Sequence, residues 1–405
     1  MAEPHRIVIV GTGLAGASTA GSLRERGYPG EITLIGRDPN RPYELPALSK
    51  GILLGDTDEP DWVHEDDFYG DIALRTGTTV TELRLGERAV LDDQGGTHPY
   101  DRLVLATGSQ PRRLPIPGAD LANLHTLRTL EDSLTLRAEL TADARVVIVG
   151  AGWIGCEVAA AARKHGATVH VVEPLPLPLH RTLGPRIGEF FRDVHAAEGV
   201  TWHLGVGVAE FTGTEGVVTG VRLADGTTLD ADVVVVGVGA SPRVELAEAA
   251  GLEIAETGGV AVDATLRTSA PDVFAIGDIA AHLHPRYGKR VRVEHWANAK
   301  DQGTTVAGSL IGAAEPYSSS PYFFSDQYDL GLEVRGLFDP ELDELVIRGD
   351  IAAREFIAFW TREGRVQGAM NVNSWDDGDA LQALVDKQST VSADDLRTGS
   401  LADLA

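Results

Sequence analysis

One pattern occurs twice in this chain and narrows its fold more than any other feature. A short, continuously apolar run leads into a GxGxxG turn, then an alanine-rich helical stretch ending at a glycine, then a second strand. The first copy is RIVIVGTGLAGASTAGSLRERG, with EITLIG after it. The second is ARVVIVGAGWIGCEVAAAARKHG, with ATVHVVE after it, and its turn lies 139 residues downstream, counted from Gly11 to Gly150. Continuously apolar strands of this length are those buried on both faces of a parallel sheet. In each turn the first glycine (Gly11, Gly150) allows a tight reversal. The second (Gly13, Gly152) lets backbone approach a pyrophosphate, and the third (Gly16, Gly155) lets helix and strand pack closely. The helix N-terminus behind the turn attracts the phosphates. A lone GxGxxG is weak. Two copies, each inside a strand–turn–helix–strand unit, predict an α/β chain with two dinucleotide sites.

The residue after each second strand refines the assignment. Glu173 stands 23 residues after Gly150. An acid there accepts hydrogen bonds from both ribose hydroxyls of NAD and repels the 2′-phosphate of NADP, which predicts a preference for NADH. The first copy is less regular and reads Ile35-Gly36-Arg37-Asp38. Either Asp38 shifts inward to meet a ribose, or Arg37 contacts the adenine end of the ligand. Two further strands end in glycine-containing turns, at Ala106-Thr107-Gly108 and Gly277-Asp278. Asp278 is placed to accept from a polyol such as a ribityl chain. Because IAA follows, it also reads as a helix N-cap, and the two roles are compatible.

Composition excludes several classes. Acidic residues outnumber basic ones 60 to 35, giving a net charge of −25. Nucleic acids and anionic membrane surfaces both require clustered Lys and Arg, so neither is an expected partner. The chain of 405 residues is 43% hydrophobic and 23% charged, as globular proteins are, and suggests two to three domains. A single cysteine, Cys156, rules out an intrachain disulfide, a four-thiolate metal site and a redox-active CxxC pair. It sits inside the second helix and reads as a packing residue. No secretory leader precedes the first strand, and the longest apolar runs, such as 233–238, are too short to span a bilayer, so a cytoplasmic protein is expected. His282, His284 and His295 are poorly spaced for a metal, and Asp376-Asp377-Gly378-Asp379 is too short for a calcium loop. No metal is expected.

With PYELPALSKGIL, LATGSQPRRLPIPG, VGVGASPRVELAEAAGL, VFAIGDIA, VEHWANAKDQG and YFFSDQYDLGLEVRG added to the two turns, the chain resembles the two-dinucleotide-binding flavoproteins of the glutathione reductase superfamily. More narrowly, it resembles the FAD-dependent, NADH-using ferredoxin reductases of bacterial P450 and Rieske dioxygenase systems, over nearly its whole length. The resemblance implies FAD contacts at Ala15, Lys50, Val80, Arg128, Asp278 and Trp296, and NAD contacts at Ile154, Glu157, Glu173 and Gly239. In similar proteins Lys50 and Glu157 lie near the flavin N5 edge where nicotinamide stacks, which implies a catalytic part for both. A lysine there stabilises anionic reduced flavin, and a carboxylate orients the lysine or the carboxamide. The chain departs from the family in having Leu45-Pro46-Ala47-Leu48-Ser49-Lys50 for RPPLSK, and Pro321-Tyr322-Phe323-Phe324-Ser325-Asp326-Gln327 for PWFWSDQ. Disulfide-reducing and single-cysteine relatives carry a cysteine early in the FAD unit. This chain has none there, so electrons must leave the flavin directly for an outside acceptor.

The expected architecture is α/β: two Rossmann-like domains and a C-terminal α+β domain. The FAD domain covers 1–113 and 240–316, the NAD domain 114–239, and the third domain 317–405. In the third, alternating patterns predict an antiparallel sheet with turns at Asp339-Pro340 and Glu363-Gly364, followed by a helical tail. The implied activity is electron transfer from NADH through FAD to a small 2Fe–2S ferredoxin. Between 279 and 293 lie Arg286, Lys289, Arg290 and Arg292 and no acid, a local patch suited to docking an acidic ferredoxin. Two alternatives stand: another acceptor (rubredoxin, a quinone or dioxygen), or an NADH-switched interaction protein of the apoptosis-inducing-factor kind.

Overall fold

In the computed structural model, which describes residues 4–405, the chain forms two compact units. The first contains the residues up to Leu45, with Pro60–Gln110 and Ala240–Pro321; the second contains Pro46–Glu59, Pro111–Gly239 and Tyr322–Ala405.

The first unit is built on a five-stranded parallel sheet. Its order is Val273–Ala275, Arg102–Leu105, Arg6–Val10, Glu31–Ile35, Ala73–Arg75. The central strand carries Ile7 to Val10, all buried, as a strand covered on both faces requires. The helix Leu14–Glu25 follows it through the Gly11 turn. A three-stranded antiparallel meander, Val80–Arg84, Ala89–Asp92 and Thr97–Pro99, lies beside this sheet in the chain. One expectation fails here. No helix follows Asp278, because Gly277–Ile279 is a single tight turn and Ala280–His284 is a strand paired with Val260–Val262 and Lys289–Val291. Alternating contacts on both sides of that strand outweigh the helix propensity of two alanines.

The second unit repeats the scheme. Its parallel sheet runs Val200–Leu204, Thr168–Glu173, Arg145–Val149, Val233–Val236, Leu124–His125, and the helix Trp153–Lys164 follows its central strand. A meander again accompanies it, formed by Val208–Thr214, Val217–Leu223 and Thr228–Asp230. The stretch Pro46–Glu59 interrupts the first unit in sequence but packs here. Leu53 joins the core with Leu136 and Val158, Ser133 Oγ donates to Leu48 O at 2.6 Å, and Arg137 Nη1 donates to Ile52 O at 3.0 Å.

The rest of the second unit is an antiparallel sheet of order Tyr322–Gln327, Leu330–Gly336, Arg365–Val372, Glu355–Arg362, Glu344–Asp350. The strand Glu355–Arg362 is buried on both faces by period-two alternation. Phe356, Ala358 and Trp360 pack with Phe191 of the helix Pro185–Ala197, whereas Ile357 and Phe359 pack with Leu381 and Leu384 of the helix Gly378–Lys387. Glu363 and Gly364, both at positive φ, make the turn into the next strand. Among the described residues no helix is long and apolar enough to cross a membrane.

Candidate dinucleotide sites and the Glu157 cluster

The two Gly-rich turns are the same object built twice. Gly11 has φ +124°, and a Cβ on it would sit 2.0 Å from Ala106 O; Gly150 has φ +102°, and its Cβ would sit 2.4 Å from Gly237 O. In both units, then, the end of the neighbouring strand crosses under the turn, which is the place of Ala106 in the Ala106-Thr107-Gly108 segment. Gly16 and Gly155 are each closed off by the carbonyl of the turn's first glycine, at 2.0 Å. Gly13 and Gly152 differ: nothing lies within 4 Å of their missing Cβ. Each is the N-cap of a twelve-residue helix, neither helix has a side-chain cap, and neither has an acid in its first turn. Open space above the second glycine and first-turn N–H groups served by no side chain fit a pyrophosphate in both units.

Beyond the turns the two units diverge. Strand register pairs Val10 with Ile35 and Val149 with Val172, so the position matching Glu173 is Gly36, one residue before Arg37. Glu173 accepts from Ala151 N at 2.8 Å and Leu175 N at 3.0 Å, fixing its carboxylate at the turn. At Gly36 a Cβ would meet Thr12 Oγ1 at 2.1 Å, so the threonine side chain fills the space that an acid takes in the second unit. Asp38 is occupied locally. Its Oδ1 accepts from Asn40 N and Nδ2 at 2.9 and 3.1 Å, and its Oδ2 from Tyr43 Oη at 2.9 Å. Of the two alternatives the sequence leaves, this geometry favours Arg37 at the adenine end.

The other sequence-assigned positions fall in both units. In the first, Val80 opens a meander strand with its side chain buried, and Gly277 N donates to Gln302 Oε1 at 2.8 Å. Thr107 Oγ1 donates to Arg243 O at 3.0 Å, and Trp296 Nε1 donates to Glu44 Oε2 at 2.9 Å. A Cβ on Gly277 would lie 3.1 Å from that of Ala15, which brings the Gly277-Asp278 turn to the first glycine-turn helix. Lys50 and Arg128, assigned to FAD, are carried by the second unit. Arg128 N donates to Asp132 Oδ2 at 3.0 Å, just before a helix capped by Thr129. Ile154, 40% exposed, is an outward apolar residue in the first turn after Gly152. Gly239 O accepts from Arg112 N at 2.9 Å.

Glu157 lies on the buried side of the helix Trp153–Lys164, 3% exposed. Such a carboxylate is tolerated only when its oxygens are satisfied. Oε1 accepts from Lys50 Nζ at 2.9 Å and from Ser325 Oγ at 2.6 Å, and Oε2 accepts from Ser49 Oγ. Lys50 is also held 5.2 Å from the Phe324 ring centroid, within cation–π range. Thus Lys50 and Glu157, paired only by resemblance in the sequence, form one buried ion pair. Ser49 and Ser325, to which the sequence reading gave no role, complete it. The signal was present, since both stand in the family segments PYELPALSK and YFFSDQ. Cys156 beside it is fully buried, and burial raises its thiol pKa far above the usual range.

The basic patch is not the open surface the sequence suggested. Arg290 Nη1 donates to Val262 O and Ala281 O at 2.6 and 2.7 Å, and Arg292 pairs with Glu294 and reaches Asp278 O at 3.2 Å. Arg286 Nη2 donates to Ser318 O at 3.2 Å, while Lys289 is exposed. Three of the four cations therefore brace their own backbone.

The profile of the pyridine nucleotide-disulphide oxidoreductase family matches residues 5–303, and that of the reductase C-terminal domain matches residues 322–404. Rhodocoxin reductase of Rhodococcus erythropolis is 39% identical over 371 residues, covering 91% of this chain and 86% of its own. Putidaredoxin reductase of Pseudomonas putida is 38% identical over 375 residues, covering 91% and 88%. Among solved structures, the covalent putidaredoxin reductase–putidaredoxin complex aligns with a TM-score of 0.94 at 36% identity, covering 99% of this chain and 98% of the other. A ferredoxin reductase from Rhodopseudomonas palustris aligns with a TM-score of 0.94 at 39% identity, covering 99% and 100%. With two matching turns and this similarity along nearly its full length, the chain belongs to the pyridine nucleotide-disulphide oxidoreductase family, in the form that carries the reductase C-terminal domain.

Proposed function

We propose that this protein is an FAD-dependent NADH:ferredoxin reductase serving a monooxygenase or ring-hydroxylating dioxygenase. The observation that carries the reading is two open Gly-rich turns in a chain whose single cysteine is fully buried. Two dinucleotides are accommodated, and no thiol of the chain can relay electrons between flavin and acceptor. The named relatives that deliver electrons to ferredoxin or putidaredoxin supply the acceptor class. A cytoplasmic location is proposed with it.

FAD, when bound, accepts two electrons as a hydride and releases them singly, which is what links a nicotinamide donor to a one-electron iron–sulfur acceptor. The protein's part is position and charge. The Gly11-Gly13-Gly16 turn takes the FAD pyrophosphate on the helix Leu14–Glu25, with Arg37 toward the adenine end and Asp278 toward the ribityl chain. The Gly150-Gly152-Gly155 turn takes that of NADH, and Glu173 receives the adenosine ribose hydroxyls. Ile154 offers an apolar contact, and Lys50, fixed by Glu157, supplies the cation beside the reacting ring.

The test is an anaerobic stopped-flow mix of the FAD-loaded protein with NADH, then with a 2Fe–2S ferredoxin, following flavin and cluster absorbance. Flavin bleaching followed by one-electron cluster reduction supports the reading. Bleaching without cluster reduction shifts the acceptor to rubredoxin, a quinone or dioxygen, or the role to an NADH-switched interaction. No bleaching overturns the assignment of Lys50 and Glu157.

A further inference from the structure

The Glu157 cluster does not end at Ser325. Gln327 Nε2 donates to Ser325 Oγ at 3.0 Å, Gln327 Oε1 stands 2.9 Å from His195 Nε2, and His195 Nδ1 stands 3.1 Å from Tyr328 Oη. Ser325, Gln327 and His195 are each at most 1% exposed. They come from two places in the sequence: the strand Tyr322–Gln327 with the residue after it, and the helix Pro185–Ala197. His195 also packs edge-on against Trp202 and Tyr328, with ring centroids 5.6 and 5.0 Å away.

Chemistry fixes the direction of every link. A carboxylate only accepts, so Ser325 Oγ–H donates to Glu157. The serine oxygen then accepts from Gln327 Nε2–H. The amide oxygen of Gln327 only accepts, so His195 carries its proton on Nε2. Its Nδ1 is then a lone pair, and the Tyr328 hydroxyl donates to it. Burial supports this tautomer, pushing the His195 pKa down to about 4 and the Tyr328 hydroxyl pKa well up, so the ring is neutral and the phenol protonated. Four donors thus point one way, from Tyr328 to the carboxylate, and each bond polarises the next toward the negative charge. An amide in the middle makes this a poor proton wire but a good clamp.

We propose that Ser325, Gln327 and His195 are positioning residues for Glu157: through this chain of aligned hydrogen bonds the C-terminal domain holds the carboxylate oriented, and so sets where Lys50 places its charge. The proposal deepens the reading above and rests on Lys50 and Glu157 acting beside the flavin. The alternative is a buried polar cluster that merely satisfies itself. Under the proposal, a strand of the reductase C-terminal domain tunes an electron-transfer step whose donor site lies on a different sheet. The groups facing the far end are Cys156, Glu198 and Arg163 around Tyr328; those at the near end are Lys50 and Glu157 themselves.

The experiment uses the FAD-loaded protein and its Ser325→Ala, Gln327→Leu, His195→Phe and His195→Gln variants, with Lys50→Ala and Glu157→Gln as references. FAD content and Tm are measured first, then the rate of flavin reduction at saturating NADH against pH, the KM for NADH, and the flavin midpoint potential. The rate should fall roughly three- to tenfold in Ser325→Ala, Gln327→Leu and His195→Phe, as for one lost hydrogen bond to a charged group. KM should stay unchanged, the pH profile and midpoint potential should move in the direction seen for Glu157→Gln, and His195→Gln, which keeps a donor toward Gln327, should recover most of the loss. If His195→Phe does not fold, Tyr328→Phe removes one hydroxyl from the end of the chain and is read in its place. Unchanged pH profile and potential in variants that hold FAD overturn the positioning role, whatever happens to Tm. If Lys50→Ala and Glu157→Gln also leave the rate unchanged, it is the underlying placement of that pair that fails.

Discussion

Glu173 shows how much one carboxylate can decide. Held by Ala151 N and Leu175 N, it presents a fixed negative charge where an adenosine ribose would lie, and a 2′-phosphate placed there meets repulsion. Glu173→Ala should raise the KM for NADH about tenfold, on the scale of lost charged hydrogen bonds, while that for NADPH falls; steady-state assays with both donors check this. An unchanged donor preference would remove the residue from the site. Lys289 is the exposed cation of its segment. Lys289→Glu should therefore slow association with an acidic ferredoxin by about twofold at low salt and leave Tm unchanged. Arg290→Glu should lower Tm, because it leaves two carbonyls without their donor. At this scale the sequence was readable wherever a residue sits in a repeated frame. Glu173 was singled out by its spacing, 23 residues after Gly150 at the end of the next strand. Gly36 was missed because the first copy's acid slot is filled by Thr12 rather than by an acid, and no spacing rule contains that substitution. His195 was invisible for another reason, since its contact with Gln327, made across 132 residues of chain, depends on how helix and sheet pack, not on spacing.

At the scale of the element, the strand–turn–helix copies separate fold from binding within a single turn. Gly150 cannot carry a side chain, as its φ is positive and a carbonyl lies 2.4 Å from where the Cβ would be. Gly152, two residues further along and in open space, can. Gly150→Ala should lower Tm by several degrees, roughly 2–4 °C per kcal/mol in a unit of this size. Gly152→Ala should keep Tm and instead weaken NADH binding, read by differential scanning calorimetry and NADH titration. Equal loss of Tm in the two would contradict the division. Elements with strong periodic or punctuated patterns were legible: both parallel sheets, the antiparallel C-terminal sheet and the Glu363-Gly364 turn. The strand Ala280–His284 was not. Its alanines favour helix locally, and partners on both edges overrule them.

For the whole molecule, the sequence indicated a two-nucleotide flavoprotein, whereas the allegiance of the short stretch 46–59 emerged only from packing. The single thiol and the buried histidines give two predictions here. Cys156 should not react with a thiol reagent in the native protein and should react once per chain in denaturant, because it is inaccessible and its pKa is raised. Burial holds both His195 and His282 down to about 4, from 6.5. Between those values the unfolded chain binds more protons than the folded one, so stability rises with pH across the window and is lost as pH falls from about 6.5 toward 4. Each group contributes at most about 1.4 kcal/mol per pH unit. Thermal unfolding at pH 7 and pH 5 should show the lower Tm at pH 5, and a flat profile would mean that the two rings are solvated.

The path of the chain has a consequence for how such a protein comes into being. It passes from one unit to the other after residues 45, 59, 110, 239 and 321. The glycine turn at Gly11 is among the first segments to leave the ribosome, yet an outer strand of its sheet, Val273–Ala275, is among the later ones. The core of the first unit therefore cannot close on a short nascent fragment, whereas the parallel sheet of the second, from Leu124–His125 to Val233–Val236, is complete once residue 236 has emerged. Premature termination anywhere before 321 yields no half-enzyme that could hold FAD, so truncated products should be cleared by proteolysis rather than accumulate as flavoproteins that leak electrons to oxygen.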